Sequence, residues 1–360
     1  MSKQVKVRDI SIGGSAPVSI QSMTNVNPHD CKALLKQVNE LQNAGCEIVR
    51  MSIPDETSAS SFSYVRERTD LPLVADIHFN YKLAVLAVEA GADKIRINPG
   101  NIGDEDKVYR VVEACKKRNI PIRIGVNSGS LEKDILEKYG KVTAEGLYES
   151  AVRNVNIIEK MGFNDIVVSV KSSDVLMNLK AYKLIHRNLD YPLHVGVTEA
   201  GTPESGKIKS AVGIGSLLLQ GIGDTIRVSL TGNPVEEVYT AKKILSACGL
   251  RKEAVEIISC PTCGRTRVNL TEIASALENR LIPIGEHRRK TGKKNLKVAV
   301  MGCEVNGPGE ARGADFGVAC GDGRGLIFVK GNPYKNVAEI EIIKTLEQLA
   351  ENYENVVSGM

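Results

Sequence analysis

Up to about residue 250 the chain alternates short apolar runs with amphipathic stretches. Eight runs read as strands: residues 18–20, 47–52, 73–78, 94–98, 122–127, 165–171, 193–198 and 225–229. Most are dense in Val and Ile, as parallel strands covered on both faces must be. Helical patterns separate them. Asp30 can cap a helix that runs to Ala44 and stops at Gly45, residues 81–90 stop at Gly91, and residues 104–118 form a third. Pro234 opens the last helix, which stops at Gly249. Eight such units predict an α/β fold, a (β/α)8 TIM barrel over residues 1–250. A doubly wound open sheet is the runner-up, but no Gly-x-Gly-x-x-Gly follows the first strand.

From residue 251 the pattern changes, which predicts a second, smaller α+β domain over residues 251–360. Its expected elements are a helix over 270–280, a basic loop, a strand over 297–301 and a hairpin pair at 318–320 and 326–329. An amphipathic helix over 337–350 closes it.

Composition narrows the function classes. The 360 residues contain no Trp and only 4% aromatics, which disfavours base or sugar stacking. A net charge of +4 points to no polyanionic partner, so neither nucleic acid nor membrane is expected. The run His287-Arg288-Arg289-Lys290, with Lys293 and Lys294, reads as a solvated loop. No apolar leader or membrane-length run is seen, so the expected location is cytoplasmic. The eight cysteines then read as reduced, and clustered ones as metal ligands or catalytic groups.

Residues at the C-terminal ends of barrel strands face the active site. Here those ends carry Arg50, Asp76, His78, Arg96, Asn98, Lys171, Glu199, Arg227 and Ser229, and Arg123 and Asn127 flank the fifth strand. Four arginines and a lysine around one rim repel one another unless an anion sits among them. Arg forks suit phosphate oxygens, so the expected substrate bears a phosphate or diphosphate. Asp76, His78 and Glu199 are candidate acids, bases or metal ligands. Among the five histidines His78 stands out, whereas His186 reads as packed on an apolar helix and His194 as a strand start.

Cys260 and Cys263 form a two-spaced pair on a loop, and Cys303 follows a strand 40 positions later. Zinc, an iron–sulfur cluster and dithiol redox chemistry all remain open on that spacing. A fourth ligand would be Cys320, Glu304 or Glu310, although Cys320 sits in a strand-like run and reads as a buried small hydrophobe. Cys31, Cys46, Cys115 and Cys248 fall in or at the ends of helices and read as structural.

Four segments together carry a family resemblance: Ile95-Arg96-Ile97-Asn98-Pro99-Gly100-Asn101-Ile102-Gly103, Arg123-Ile124-Gly125-Val126-Asn127-Ser128-Gly129-Ser130, Ser259-Cys260-Pro261-Thr262-Cys263-Gly264 and Gly302-Cys303-Glu304-Val305-Asn306-Gly307-Pro308-Gly309-Glu310-Ala311. In order and over essentially the whole chain, they closely resemble the bacterial 4-hydroxy-3-methylbut-2-enyl diphosphate synthase family in its two-domain form. The resemblance implies a [4Fe–4S] cluster held by Cys260, Cys263, Cys303 and Glu310, in a domain similar to those of sulfite and nitrite reductases. It implies 2-C-methyl-D-erythritol 2,4-cyclodiphosphate as substrate, on the methylerythritol phosphate route to isoprenoids. It also implies a homodimer, with the barrel of one subunit facing the cluster of the other.

Opening the cyclic diphosphate and removing a hydroxyl consumes two electrons, which no side chain supplies. Reduced flavodoxin or ferredoxin is the expected donor. The arginines Arg50, Arg96, Arg123 and Arg227 and Lys171 would hold the diphosphate, helped by Asn98, Asn127 and Ser229. Glu199 is the candidate acid for the departing hydroxyl, with Asp76 and His78 near it. The competing classes are a non-redox phosphosugar barrel enzyme with a structural zinc, and a zinc-ribbon nucleic-acid binder.

Overall fold

The structure is a computed structural model that describes residues 2–252, 255–303, 311 and 313–360. It divides into two compact units, Met1–Arg251 and Lys252–Met360.

The first unit opens on an antiparallel hairpin of β1 (Val5–Val7) and β2 (Ile10–Ile12), which the sequence pattern had not predicted. Eight parallel strands follow: β3 (Ser19–Met23), β4 (Ile48–Ser52), β5 (Leu73–Asp76), β6 (Lys94–Ile97), β7 (Ile122–Asn127), β8 (Ile166–Lys171), β9 (His194–Val195) and β10 (Thr225–Ile226). Their order is β8-β7-β6-β5-β4-β3-β10-β9, and a parallel bridge from Val168 to Leu193 joins the two ends. The result is the TIM barrel expected from eight β–α repeats, with helices outside.

Alternation along each strand sorts the side chains. One set, including Val49, Met51, Ala75, Ile95, Ile97, Ile124 and Val168, packs against Leu34, Val38, Leu41 and Phe62 of the surrounding helices. Each such buried side chain contributes roughly 1.5–3 kcal/mol. This outer layer carries the stability and leaves the inward set free for chemistry. Helix ends are fixed locally: the Asp30 carboxylate accepts from the N–H groups of Lys32 and Ala33, and Gly45 ends that helix at φ 90°. At the N-terminal end of the barrel Val7 and Ile12 of the hairpin pack on Ile48 and Val74. The hairpin is pinned there by Lys3 N–H to Asp190 O at 2.6 Å and Ser2 Oγ to Asp224 at 2.8 Å.

The second unit is a five-stranded sheet ordered β11 (Val255–Ser259), β12 (Leu296–Met301), β13 (Phe316–Gly321), β14 (Arg324–Val329) and β15 (Asn332–Ala338). The first three are parallel and the last two turn back antiparallel. Helices Leu270–Lys290 and Ile342–Glu351 cover one face through Leu270, Ile273, Leu277, Leu281, Ile342 and Leu346.

Four expectations need correction here. The helix does not stop at 280; it runs to Lys290, and the basic run is its last turn. Arg288 is buried there, donating to both the Glu354 carboxylate and the Ala350 carbonyl, so it is not a solvated loop charge. Val337 belongs to β15, and the closing helix starts only at Ile342, because β14 claims residues up to Ala338 as ladder partners. In the first unit His186 lies exposed on its helix and is not packed.

Candidate active site

The inward side chains of the barrel are polar and mostly cationic. β6 is the clearest case: Lys94-Ile95-Arg96-Ile97-Asn98 alternates strictly, so Ile95 and Ile97 join the outer core while Lys94, Arg96 and Asn98 turn inward. Registers bring their neighbours alongside, Asp76 beside Arg96 and Arg96 beside Arg123. Arg50, Lys94, Arg96, Arg123, Lys171 and Arg227 thus converge on one interior.

Two carboxylates answer them. Asp76 accepts from Arg96 Nη1 at 3.2 Å and lies 3.5 Å from Arg50 Nε and 3.8 Å from His78 Nε2. Burial pushes its carboxyl up, but Arg50, Arg96 and Arg123 together hold it at about 2. Asp76 is therefore ionised at neutral pH and acts as a counter-ion. Glu237, from helix Pro234–Ala247, accepts from Arg227 Nη2 at 3.2 Å, and also from Ser22 Oγ at 2.9 Å. That leaves Lys94, Arg123 and Lys171 with no carboxylate partner among the described residues. Lys94 Nζ and Arg123 Nε and Nη1 have no hydrogen-bond partner there at all, and both residues are almost fully buried. Unpaired buried charges cost several kcal/mol each unless a ligand completes them. Burial pushes Lys94 and Lys171 well below the ordinary lysine value, and Arg123 well below the ordinary arginine value.

Two inward glycines keep room for these groups. A Cβ on Gly125 would stand 2.7 Å from Arg96 Nε, and one on Gly196 would stand 2.7 Å from the Arg227 carbonyl and 2.8 Å from Lys171 Nζ. Arg96 Nη2 in turn donates to the Gly125 carbonyl at 3.4 Å.

Of the remaining residues proposed from sequence, His78 borders this ionic cluster and the others stand apart from it. His78 is about half exposed, with Nδ1 3.5 Å from Arg96 Nη1. Asn98 is buried, and its Oδ1 has no partner among the described residues. Asn127 and Ser229 are half-buried, and no side-chain hydrogen bond ties them to the cluster. Glu199 is exposed just beyond β9, at φ 50°. A non-glycine residue in the left-handed region is strained, a condition that recurs at functional loops.

Sequence reasoning missed Lys94, His194 and Glu237. Alternation in β6 could have found Lys94. His194 lies in the barrel wall, fully buried, with Nε2 3.1 Å from Lys171 Nζ. Glu237 had no signal, since it is one acid among several on its helix.

In the second unit β11 and β12 run parallel, with Ser259 opposite Val300, so Cys260 and Cys303 emerge at the same end of the sheet. Gly302 N–H donates to Cys260 Sγ at 3.2 Å, the kind of bond that stabilises a ligating thiolate. A Cβ at Gly302 would press on Thr266 at 3.0 Å. Cys263 is exposed, and the Arg265 backbone N–H holds its thiol below the usual range. Cys260 opens onto a cleft of about 430 Å³ beside the start of helix Leu270–Lys290. Among the described residues no three candidate ligands already stand at metal-binding distance, and Glu310, like Glu304, lies outside those residues. Cys320 is fully buried in β13, and burial pushes its thiol up to about 12, as suits an apolar side chain.

The family models described as the GcpE TIM-barrel domain and the GcpE protein C-terminal domain match residues 2–242 and 256–352. The chain is 54% identical over 357 residues to a protein of Caldanaerobacter subterraneus subsp. tengcongensis, covering 99% of this chain and 98% of that one. It is 53% identical over 352 residues to a protein of Fusobacterium nucleatum, covering 98% and 97%. Both are named 4-hydroxy-3-methylbut-2-en-1-yl diphosphate synthase (flavodoxin). Among solved structures, dihydropteroate synthase from Stenotrophomonas maltophilia superposes with a TM-score of 0.51 at 15% identity, over 69% of this chain and 98% of that one. That likeness is one of barrel fold.

Proposed function

The chain belongs to the GcpE family, and from that premise we propose how its two units divide the work. The reaction is the reductive ring opening and dehydroxylation of 2-C-methyl-D-erythritol 2,4-cyclodiphosphate to 4-hydroxy-3-methylbut-2-enyl diphosphate, with electrons from flavodoxin. Two electrons and two protons enter, and one water leaves.

The observation that carries the barrel's part is its uncompensated charge. Lys94, Arg123 and Lys171 face the interior without a carboxylate, so the barrel is built to receive a multiply charged anion. Arg50, Arg96, Arg123, Lys171 and Arg227 bind the diphosphate and stabilise its developing charge as the ring opens. Asn98, Asn127 and Ser229 add neutral donors. Glu199 protonates the departing hydroxyl from the mouth of the barrel, while Asp76 holds Arg50 and Arg96 in place.

The second unit's part is electron delivery. Cys260, Cys263, Cys303 and Glu310 hold a [4Fe–4S] cluster in this reading. The donor chemistry fits it: Cys260 Sγ already accepts a backbone N–H, Cys263 has its thiol held low, and Cys303 shares the strand-end with Cys260. A bound cluster supplies single electrons, which the two-electron reaction takes in succession. A harder, more weakly held carboxylate ligand from Glu310 would leave one iron exchangeable. A homodimer and a cytoplasmic location belong to the same reading; all eight cysteines are free thiols, and no described helix is long and apolar enough to cross a membrane. A phosphosugar barrel with a structural zinc is not favoured, since it gives the flavodoxin in the relatives' names no role.

Anaerobic purification tests the whole. The expected protein is brown, contains iron and sulfide, and turns over the cyclodiphosphate with reduced flavodoxin. Cys303→Ser is expected to lose the colour and the turnover while still binding substrate. Stoichiometric zinc in a colourless, inactive protein would overturn the reading.

A further inference from the structure

We propose that His194 is a positioning residue for Lys171: its Nε2 holds the lysine amine against the barrel wall, and the pair takes up one proton from solvent as the diphosphate enters. The inference rests on the barrel reading above and deepens it.

Geometry carries the argument. Lys171 ends β8 and His194 opens β9, strands that meet at the Val168–Leu193 bridge. At this seam Lys171 Nζ lies 3.1 Å from His194 Nε2, with both side chains buried. Helix Val175–Asn188 fixes the backbone on the histidine side. Tyr182 OH donates to the His194 carbonyl at 2.6 Å, and Asn178 Nδ2 donates to the Gly196 carbonyl at 3.2 Å. The lysine lies so close over Gly196 that a single methyl there would displace it. The amine is therefore held from below and from the side, and only the interior is open to it.

Two nitrogens at this distance need one hydrogen between them. The imidazole supplies the lone pair. Burial first, then Lys171, Arg123, Lys94 and Arg50, keep it well below its ordinary value and hence neutral. Its Nδ1 has no partner among the described residues.

The lysine has the opposite difficulty. Burial first, then Arg123, Arg50, Arg227 and Arg96, push it well below its ordinary value. The carboxylates facing this interior are already taken, Asp76 by Arg50 and Arg96 and Glu237 by Arg227. Among the described residues no carboxylate is left to offset an ammonium at Lys171, whereas a diphosphate does so. The anion therefore brings a proton to the amine. With one N–H accepted by His194, the ammonium keeps two donors for phosphate oxygens.

The cyclodiphosphate is a convenient probe, because each of its phosphorus atoms carries one ionised oxygen that does not titrate near neutrality. Any proton taken up on binding goes to the protein. The test is calorimetric titration of the holoenzyme with cyclodiphosphate, without reductant, in buffers of different ionisation heat from pH 6.5 to 9. The expected result is uptake approaching one proton per substrate, with affinity falling by up to about tenfold per pH unit along the alkaline limb. Lys171→Met should abolish the uptake. His194→Gln, which keeps an acceptor near the Nε2 position, should retain it. His194→Leu, checked for folding by thermal denaturation, should weaken binding by about tenfold or more and move the alkaline limb to lower pH. No uptake by the wild type, uptake persisting in Lys171→Met, or an unchanged pH profile in folded His194→Leu would each overturn the proposal and leave the barrel reading standing. A wild-type chain that bound no cyclodiphosphate at any pH would overturn both. If His194→Leu does not fold, His194→Met, which also lacks a strong acceptor, is read in its place with the same expected and overturning results.

Discussion

Asp76 stands between two guanidiniums, its carboxylate 3.2 Å from Arg96 Nη1 and its other oxygen 3.5 Å from Arg50 Nε. In the barrel interior this carboxylate keeps two of the substrate-facing arginines aimed when no anion is present. The relationship has a consequence for stability against pH. Asp76 is held at about 2, below its ordinary value of 3.8. A depressed carboxylate contributes stability above its unfolded value and loses it as pH falls through the folded one. Its share, about 2 kcal/mol, is therefore expected to disappear between about pH 4 and pH 2. Comparing urea unfolding of wild type and Asp76→Asn across that range checks it: the gap between the two should close as pH falls.

Arg123 has the reverse profile: it is buried, makes no direct ion pair with a carboxylate among the described residues, and feels Asp76 only across a longer distance. Arg123→Met is expected to leave the empty protein as stable as the wild type, or more so, because an uncompensated charge is removed. Affinity for the cyclodiphosphate should fall by about 10- to 150-fold, corresponding to about 1.5–3 kcal/mol for a lost charge-assisted bond. Thermal denaturation with and without substrate, beside a binding titration, separates the two effects. A variant less stable when empty yet binding normally would contradict this account.

Gly196 lies where a Cβ would meet the Arg227 carbonyl at 2.7 Å as well as the Lys171 amine. A lysine tip can swing away, but a backbone carbonyl cannot do so cheaply. Gly196→Ala is therefore expected to cost about 1–3 kcal/mol in stability and to weaken substrate binding. Gly129→Ala, where no atom lies within 4 Å of the added methyl, serves as the control for stability.

Glu199→Gln keeps the size of the side chain and removes its proton chemistry. Turnover with reduced flavodoxin should fall by roughly 10²–10⁴, the usual worth of a positioned acid, with KM little changed. Normal turnover with normal substrate binding would remove Glu199 from the proton-donor role and leave the ionic cluster of the barrel unaffected.

The barrel was legible in the sequence because its eight strands must present Val and Ile to the surrounding helices, and residues such as Ile95, Ile97 and Val168 do so. The rim was legible because a strand's end fixes where its last side chains go, as Arg96 and Lys171 illustrate, whereas Arg123, second in its strand, lies deeper in the barrel. The linked motifs around Cys260, Cys263 and Cys303 carried the family. Local pattern erred where a long-range partner intervened. Arg288 looked like a solvated charge because Glu354, which buries it, lies 66 positions away.

The sequence by itself thus determined which side chains can reach the interior and how many positive charges they bring, since both follow from strand periodicity. Only the tertiary structure decided which of those charges are answered. Asp76 reaches Arg96 across adjacent strands, Glu237 reaches Arg227 from a helix, and Lys171 meets His194 where β8 and β9 close the barrel. Those pairings depend on strand register and barrel closure, which bring residues 10 to 23 positions apart within a few ångströms of each other. Charge neutralisation falls off over that short distance, so no reading along the chain alone could assign it.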